Sequence, residues 1–125
     1  MRRRDERGQA TVELALCLPL LALVCAGLVE TSLVALDQVR VWHAAREAAR
    51  AAAIEPDPSA AEEAAERSGL RGLEVSVEPA SEERSPGRPA TVTVTYRYDS
   101  RIPVLGLAFE RAVLDAQATT RIERP

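Results

Sequence analysis

Residues 8–36 read GQATVELALCLPLLALVCAGLVETSLVAL. Four arginines, Arg2, Arg3, Arg4 and Arg7, stand immediately before this stretch. From Leu14 to Val29 it carries no charge, and its short polar opening holds one carboxylate, Glu13, five residues past Gly8. A bilayer core of ~30 Å needs about 20 helical residues at ~1.5 Å each. The charge-free run of sixteen residues gives roughly 24 Å, slightly short. Extension to Leu36 gives twenty-three residues and roughly 35 Å, but then encloses Glu30. The transmembrane segment is therefore placed between Leu14 and Leu36, with Glu13 or Glu30 in or at the edge of the hydrocarbon. A carboxylate in that position costs about 2.5–3.5 kcal/mol and marks a functional suspect. Glu30 is expected to be solvated at the outer interface.

Orientation follows from the arginines. The leader sets four of them against Asp5 and Glu6, so residues 1–8 stay cytoplasmic and the remainder is exported. Arg40, Arg46 and Arg50 on the far side weaken that bias. A cleaved secretory signal is the rival reading, because Cys25-Ala26-Gly27 supplies a small-residue site after an apolar core. A lipoprotein site fits worse: Leu16 and Val24 precede the two cysteines where a small residue is needed.

A basic leader, a glycine, a glutamate at +5 and an apolar helix together follow the plan of a type IV pilin signal. The chain resembles the TadE-like family of the tight-adherence pilus, a branch of the pilin and pseudopilin group. Arg7-Gly8, Glu13, Leu18–Leu21, Gly27–Glu30 and the alanine-rich Ala44–Ala53 carry the resemblance, which covers nearly half the chain. One departure is Leu14, where members often have an aromatic residue. The resemblance implies cleavage after Gly8 by a prepilin peptidase, leaving Gln9 as the first mature residue. It implies that Glu13 meets the terminal amine of a neighbouring subunit during assembly. It also implies partners: sibling pilins, an inner-membrane platform protein and a cytoplasmic assembly ATPase.

At 125 residues the chain has room for one small domain beyond the anchor. Its net charge is −3; without residues 1–8 it has 12 arginines against 17 acids, a balance of −5. That argues against a nucleic-acid binder, which needs a clustered basic face. Only four aromatics occur, Trp42, Tyr96, Tyr98 and Phe109, so the core is expected to be built from Val, Leu and Ala. Cys17 and Cys25 lie eight residues apart in the anchor, roughly 12 Å along a helix. A disulfide needs Cα atoms about 4.4–6.8 Å apart, so the two cannot pair with each other.

Past Leu36 the helical pattern continues to Ile54, where Pro56 and Pro58 stop it. One helix from Gln9 to Ile54 would be roughly 70 Å long, with a slight kink at Pro19. Its second half is alanine-rich and amphipathic, and needs a partner surface. Glu30 and Asp37 are seven apart and share a face, and Asp37 and Arg40 are spaced to pair. Trp42 suits an interfacial anchor or a core position against a sheet. A second helix opens at Asp57–Ser59 with the capping box Ser59-x-x-Glu62, and Gly69 or Gly72 ends it. Leu73–Glu78 alternates with period two and reads as a half-buried strand. Residues 79–89 read as a long mobile hairpin loop with a Pro-Gly turn. Ala90–Tyr98 is the clearest strand, with Val92, Val94, Tyr96 and Tyr98 on one face. Residues 99–109 form a connection with an apolar patch. Ala112–Ile122 suits helix or strand; the alternation of Ala112, Leu114, Ala116, Ala118 and Ile122 favours a strand with a small-residue inner face.

The chain offers little to a search for chemistry. His43 stands alone, without the several ligands a metal site needs. No phosphate loop and no nucleophile with a nearby base stand out. Glu62, Glu63 and Glu66 read as a solvated helix face. No catalytic residue and no cofactor are assigned.

The expected fold is α+β and pilin-like: a long N-terminal transmembrane helix, a short helix and a small three-stranded antiparallel sheet. Residues 1–8 would be the cytoplasmic leader, 9–54 the transmembrane and amphipathic helix, and 55–125 the exported head. The expected function is structural and not enzymatic. It is that of a minor pilin or pseudopilin of a Tad-type pilus or secretion system, membrane-anchored before assembly and contributing to surface adhesion. The alternative is an uncleaved single-pass membrane protein with an exported binding head.

Overall fold

The computed structural model describes residues 2–109 and 112–123, with side chains from residue 8 onward. Met1 and the side chains of residues 2–7, part of the expected leader, lie outside the described residues. The elements run α1 (Arg2–Ile54), α2 (Pro58–Glu66), β1 (Leu73–Glu78), β2 (Pro89–Arg97), α3 (Pro103–Phe109) and β3 (Val113–Arg121). The three strands form one antiparallel sheet in the order β1-β2-β3. The expected α+β architecture of long helix, short helix and three-stranded sheet is borne out.

Alternation in the strands sets the inner face. Ala90, Val92 and Val94 of β2 are fully buried and Leu114 and Ala116 of β3 nearly so, while Thr and charged residues between them face outward. Val94 stands opposite Ala116 and Val92 opposite Ala118, so a large side chain meets a small one across the pair. The lower half of β3 is therefore shallow, and a helix can lie close to it. α1 fills that place with Val41, Ala44, Ala45, Ala48, Ala49 and Ala52, all buried, and packs on β2 and β3. α2 packs beside α1 and over β1 through Ala61, Ala64 and Ala65. Alanine combines high helix propensity with a thin side chain, so these helix surfaces can approach without losing helicity. The bulk of the core comes from the sheet.

Three local expectations change. The cap of α2 is Asp57 and not Ser59: the Ser59 amide donates to Asp57 Oδ1 at 3.0 Å, and Pro58 occupies the first helical turn. The β1–β2 loop is tied down. Arg84, 6 % exposed, donates from Nε to the Pro79 carbonyl at 3.0 Å and from Nη1 to the Pro56 carbonyl at 3.4 Å. A charged residue in a polar loop reads as solvated, whereas here its planar fork finds backbone acceptors from two segments. The β2–β3 connection contains a helix, α3, whose uniformly apolar sequence PVLGLAF shows no period to read.

Candidate functional site: the apolar helix and its junction with the head

The two halves of α1 have opposite surroundings. Every residue from Gly8 to Cys25 is exposed, including Leu14 at 61 %. Cover begins at Ala26 and Gly27, and Glu30 is completely buried. The stretch below Glu30, Gly8–Val29, is exposed except at Ala26 and Gly27, and is twenty-two residues or roughly 33 Å long. It matches a hydrocarbon core of ~30 Å, and α1 is long and apolar enough to cross a membrane. At its upper end the Thr31 and Ser32 hydroxyls donate to the carbonyls of Gly27 and Leu28, each at 2.8 Å. Both hydroxyls are thus satisfied inside the helix. Leu36 lies beyond this free stretch but stays 57 % exposed, on the side away from the sheet.

At the lower end, Gln9 Nε2 donates to Glu13 Oε1 at 3.3 Å across one helical turn. Gly8 is exposed, its φ is not left-handed, and a Cβ built there meets nothing within 4 Å. Neither backbone conformation nor crowding asks for glycine at this position.

The junction is the part that the sequence did not reveal. Glu30 is not solvated at an interface. Its Oε1 accepts hydrogen bonds from Tyr98 Oη at 3.0 Å, Ser100 Oγ at 2.7 Å and the Arg101 amide at 3.1 Å. Among the described residues Oε2 has no hydrogen-bond partner. Two turns further along the same face, Asp37 is 1 % exposed. Arg40 Nη1 donates to its Oδ1 at 3.0 Å, and Arg101 Nη2 forms an ion pair with Oδ2 at 3.5 Å. Arg101 therefore serves both acids, one through its amide and the other through its guanidinium. The segment Tyr98–Arg101, which leaves the end of β2, latches the sheet to α1. Burial, together with the Glu30 hydrogen bond and charge, pushes the Tyr98 phenol up to about 12. Burial also raises Tyr96, with the charge of Asp37 adding to it.

Trp42 lies twelve residues past Glu30, roughly 18 Å along the helix. It is half-exposed, with the Arg46 guanidinium 5.9 Å from its ring centroid. His43 and both cysteines are exposed, and the cysteines are unpaired. Among the described residues no group of three or more His, Cys, Asp or Glu side chains is placed to hold a metal ion.

Residues 8–50 match the family model described as TadE-like protein. This segment is TadE-like, as the resemblance indicated; the match begins at Gly8 and ends before the sheet. Together with the apolar helix it fits a membrane-anchored protein related to Tad pili. No curated protein and no solved structure matches the chain significantly.

Proposed function

We propose that the chain is a minor pilin or pseudopilin of a Tad-type system, held in the membrane by residues 8–29 until it is assembled. The observation that carries this reading is the division of α1 at Glu30. Below it the helix is bare and apolar; above it one face is committed to the head. A bare apolar helix of this length has to be covered, and two covers suit it: lipid before assembly and the helices of sibling pilins afterwards. The apolar surface also continues past the bare stretch. Leu36, Val39 and Trp42 stay half-exposed on the side opposite the buried stripe, which is where a neighbouring helix would lie.

The arginine leader places the N-terminus in the cytoplasm and the head outside, and surface adhesion is the role of the assembled system. A prepilin peptidase would cleave after Gly8 to leave Gln9, and an inner-membrane platform protein and an assembly ATPase would drive incorporation. Glu13 would then pair with the new amine of a neighbour. An opposite charge at close range offsets part of the cost of a carboxylate in a low dielectric. Within one helix the Gln9 side chain already occupies that carboxylate, so the pairing acts as a register device between subunits.

Intact-mass measurement of membrane-extracted protein tests this. The mature chain should begin at Gln9. Gly8→Leu should block cleavage without blocking insertion, because nothing in the folded chain needs glycine there. A full-length chain in cells with active peptidase overturns the pilin reading in favour of an uncleaved anchor. A start after Ala26 or Gly27 does so in favour of secretion.

A further inference from the structure

The connection between β2 and β3 exposes apolar side chains at one end of the head. Val104 is 74 % exposed and Leu107 is 90 % exposed, and Pro103 beside them is exposed too. The inner side of α3 is tied to the sheet. The Ala112 amide donates to the Phe109 carbonyl and the Tyr98 amide to the Ala112 carbonyl, while Phe109 packs against the core.

Its position along α1 is fixed by the junction. Ser100 and Arg101, just before α3, bond directly to Glu30. The other end of the head is anchored near the top of α1, where the Glu123 amide donates to the Ala53 carbonyl. So α3 lies at the end of the head nearest the bare helix. The bare stretch stops at Val29, and cover on α1 begins as low as Ala26. Whatever surrounds Gly8–Val29 therefore has its outer boundary at the level of α3. With Glu13 held at the inner edge, a ~30 Å hydrocarbon core takes about 20 helical residues and so reaches to or above Val29. From Ser100 to Phe109 the only charge is Arg101, and the nearest acids, Asp99 and Glu110, stand at the two flanks of this stretch.

We propose that α3 is a second, shallow membrane contact: Val104 and Leu107 rest in the headgroup–acyl boundary of the bilayer that α1 crosses. This rests on residues 8–29 being a membrane anchor. An apolar helix face lying a few ångströms into that boundary is an ordinary way for a protein to hold a surface. Here the covalent anchor delivers it to the right depth. Two contacts fix the tilt of the head where one helix alone would leave it free to rotate. The contact lets go when the subunit leaves the bilayer.

The test uses the full chain with Cys17→Ala and Cys25→Ala, reconstituted in phosphatidylcholine vesicles. A single cysteine, introduced as Leu107→Cys, Leu21→Cys or Gln117→Cys, carries an environment-sensitive fluorophore. All three positions are exposed, so labelling leaves the packing intact. The expected result is strong quenching at 107 by lipids bearing a nitroxide near the headgroup. Quenching at 21 should come from nitroxides deep in the acyl chains, and 117 should show none. A water-exposed label at 107 with a lipid-quenched label at 21 overturns the proposal and leaves the anchor standing. A label at 107 shielded from water but untouched by lipid nitroxides means that protein covers α3, and also overturns it. Absence of lipid quenching at 21 removes the anchor and the proposal together.

Discussion

Tyr98→Phe isolates the latch between helix and sheet. The ring is 3 % exposed and Phe fills the same space, so no cavity forms. What is lost is one buried hydrogen bond of 3.0 Å. Its acceptor is a carboxylate, and bonds to charged groups contribute about 1.5–3 kcal/mol. The acceptor keeps the Ser100 and Arg101 donors, so it is not stranded, and about 2 kcal/mol is the reasoned loss for the tyrosine. For a domain of this size that corresponds to a fall in melting temperature of roughly 8–16 °C. Urea and thermal unfolding of the full chain in detergent micelles, followed by Trp42 fluorescence, reads it out. A loss below about 0.5 kcal/mol is the size of a surface change. It would mean that water hydrates the junction and that the latch does not hold the head to α1. Glu30→Ala strands all three donors and should cost more than Tyr98→Phe.

Alkaline pH offers an independent reading of the Tyr98 site, chiefly of its burial and secondarily of its bond to Glu30. The folded Tyr98 holds its proton up to about 12, whereas the unfolded chain releases it near the ordinary 10.0. The folded state thus binds the proton more tightly, so this stabilisation is complete below pH 10 and is lost as the pH rises toward 12. Melts at stepped alkaline pH should show that limb, and Tyr98→Phe should retain only the part due to Tyr96. In the head, Ala116→Asp should destabilise by about 3–5 kcal/mol, as expected for an unpaired buried charge; equal melts for Ala116→Asp and Gln117→Asp would refute the register of β3. In assembly, Glu13→Gln should leave insertion and cleavage largely intact and impair co-purification with sibling pilins, and undiminished association would remove the role assigned to Glu13.

Much of the fold was legible because its signals are local. β1 is Leu73–Glu78 as period-two alternation requires, and β2 and β3 fall within a residue of the expected strands. The inner face of β3 came from its alternating small residues, the end of α1 from Pro56 and Pro58. α3 was not legible: seven apolar residues around Gly106 look the same as helix, strand or connection. The cap of α2 was misplaced because Ser59-x-x-Glu62 fits the capping pattern, while Asp57 ahead of Pro58 fits it better with a helical proline.

The junction was missed for another reason. The sequence places Glu30 and Asp37 on one face and pairs Asp37 with Arg40, but reads Glu30 as solvated at the membrane's edge. The spacing says otherwise: Glu30, Val34, Asp37, Val41, Ala45, Ala48 and Ala52 advance by threes and fours along one stripe, and its alanine end plainly demands a partner surface. A stripe does not change sides along a straight helix, so the acids belong to the buried face. Buried carboxylates need donors; Asp37 finds one locally in Arg40, but those of Glu30 lie 68 to 71 residues later in Tyr98, Ser100 and Arg101, beyond the reach of any local pattern. Read with its partners, Glu30 is a boundary and not a flaw in a membrane span. Above it α1 is part of the head's core; from Cys25 down the helix is exposed among the described residues. The length that remains is close to one bilayer, so on the proposed anchor the carboxylate that locks the head to α1 also sets the depth at which the head meets the membrane.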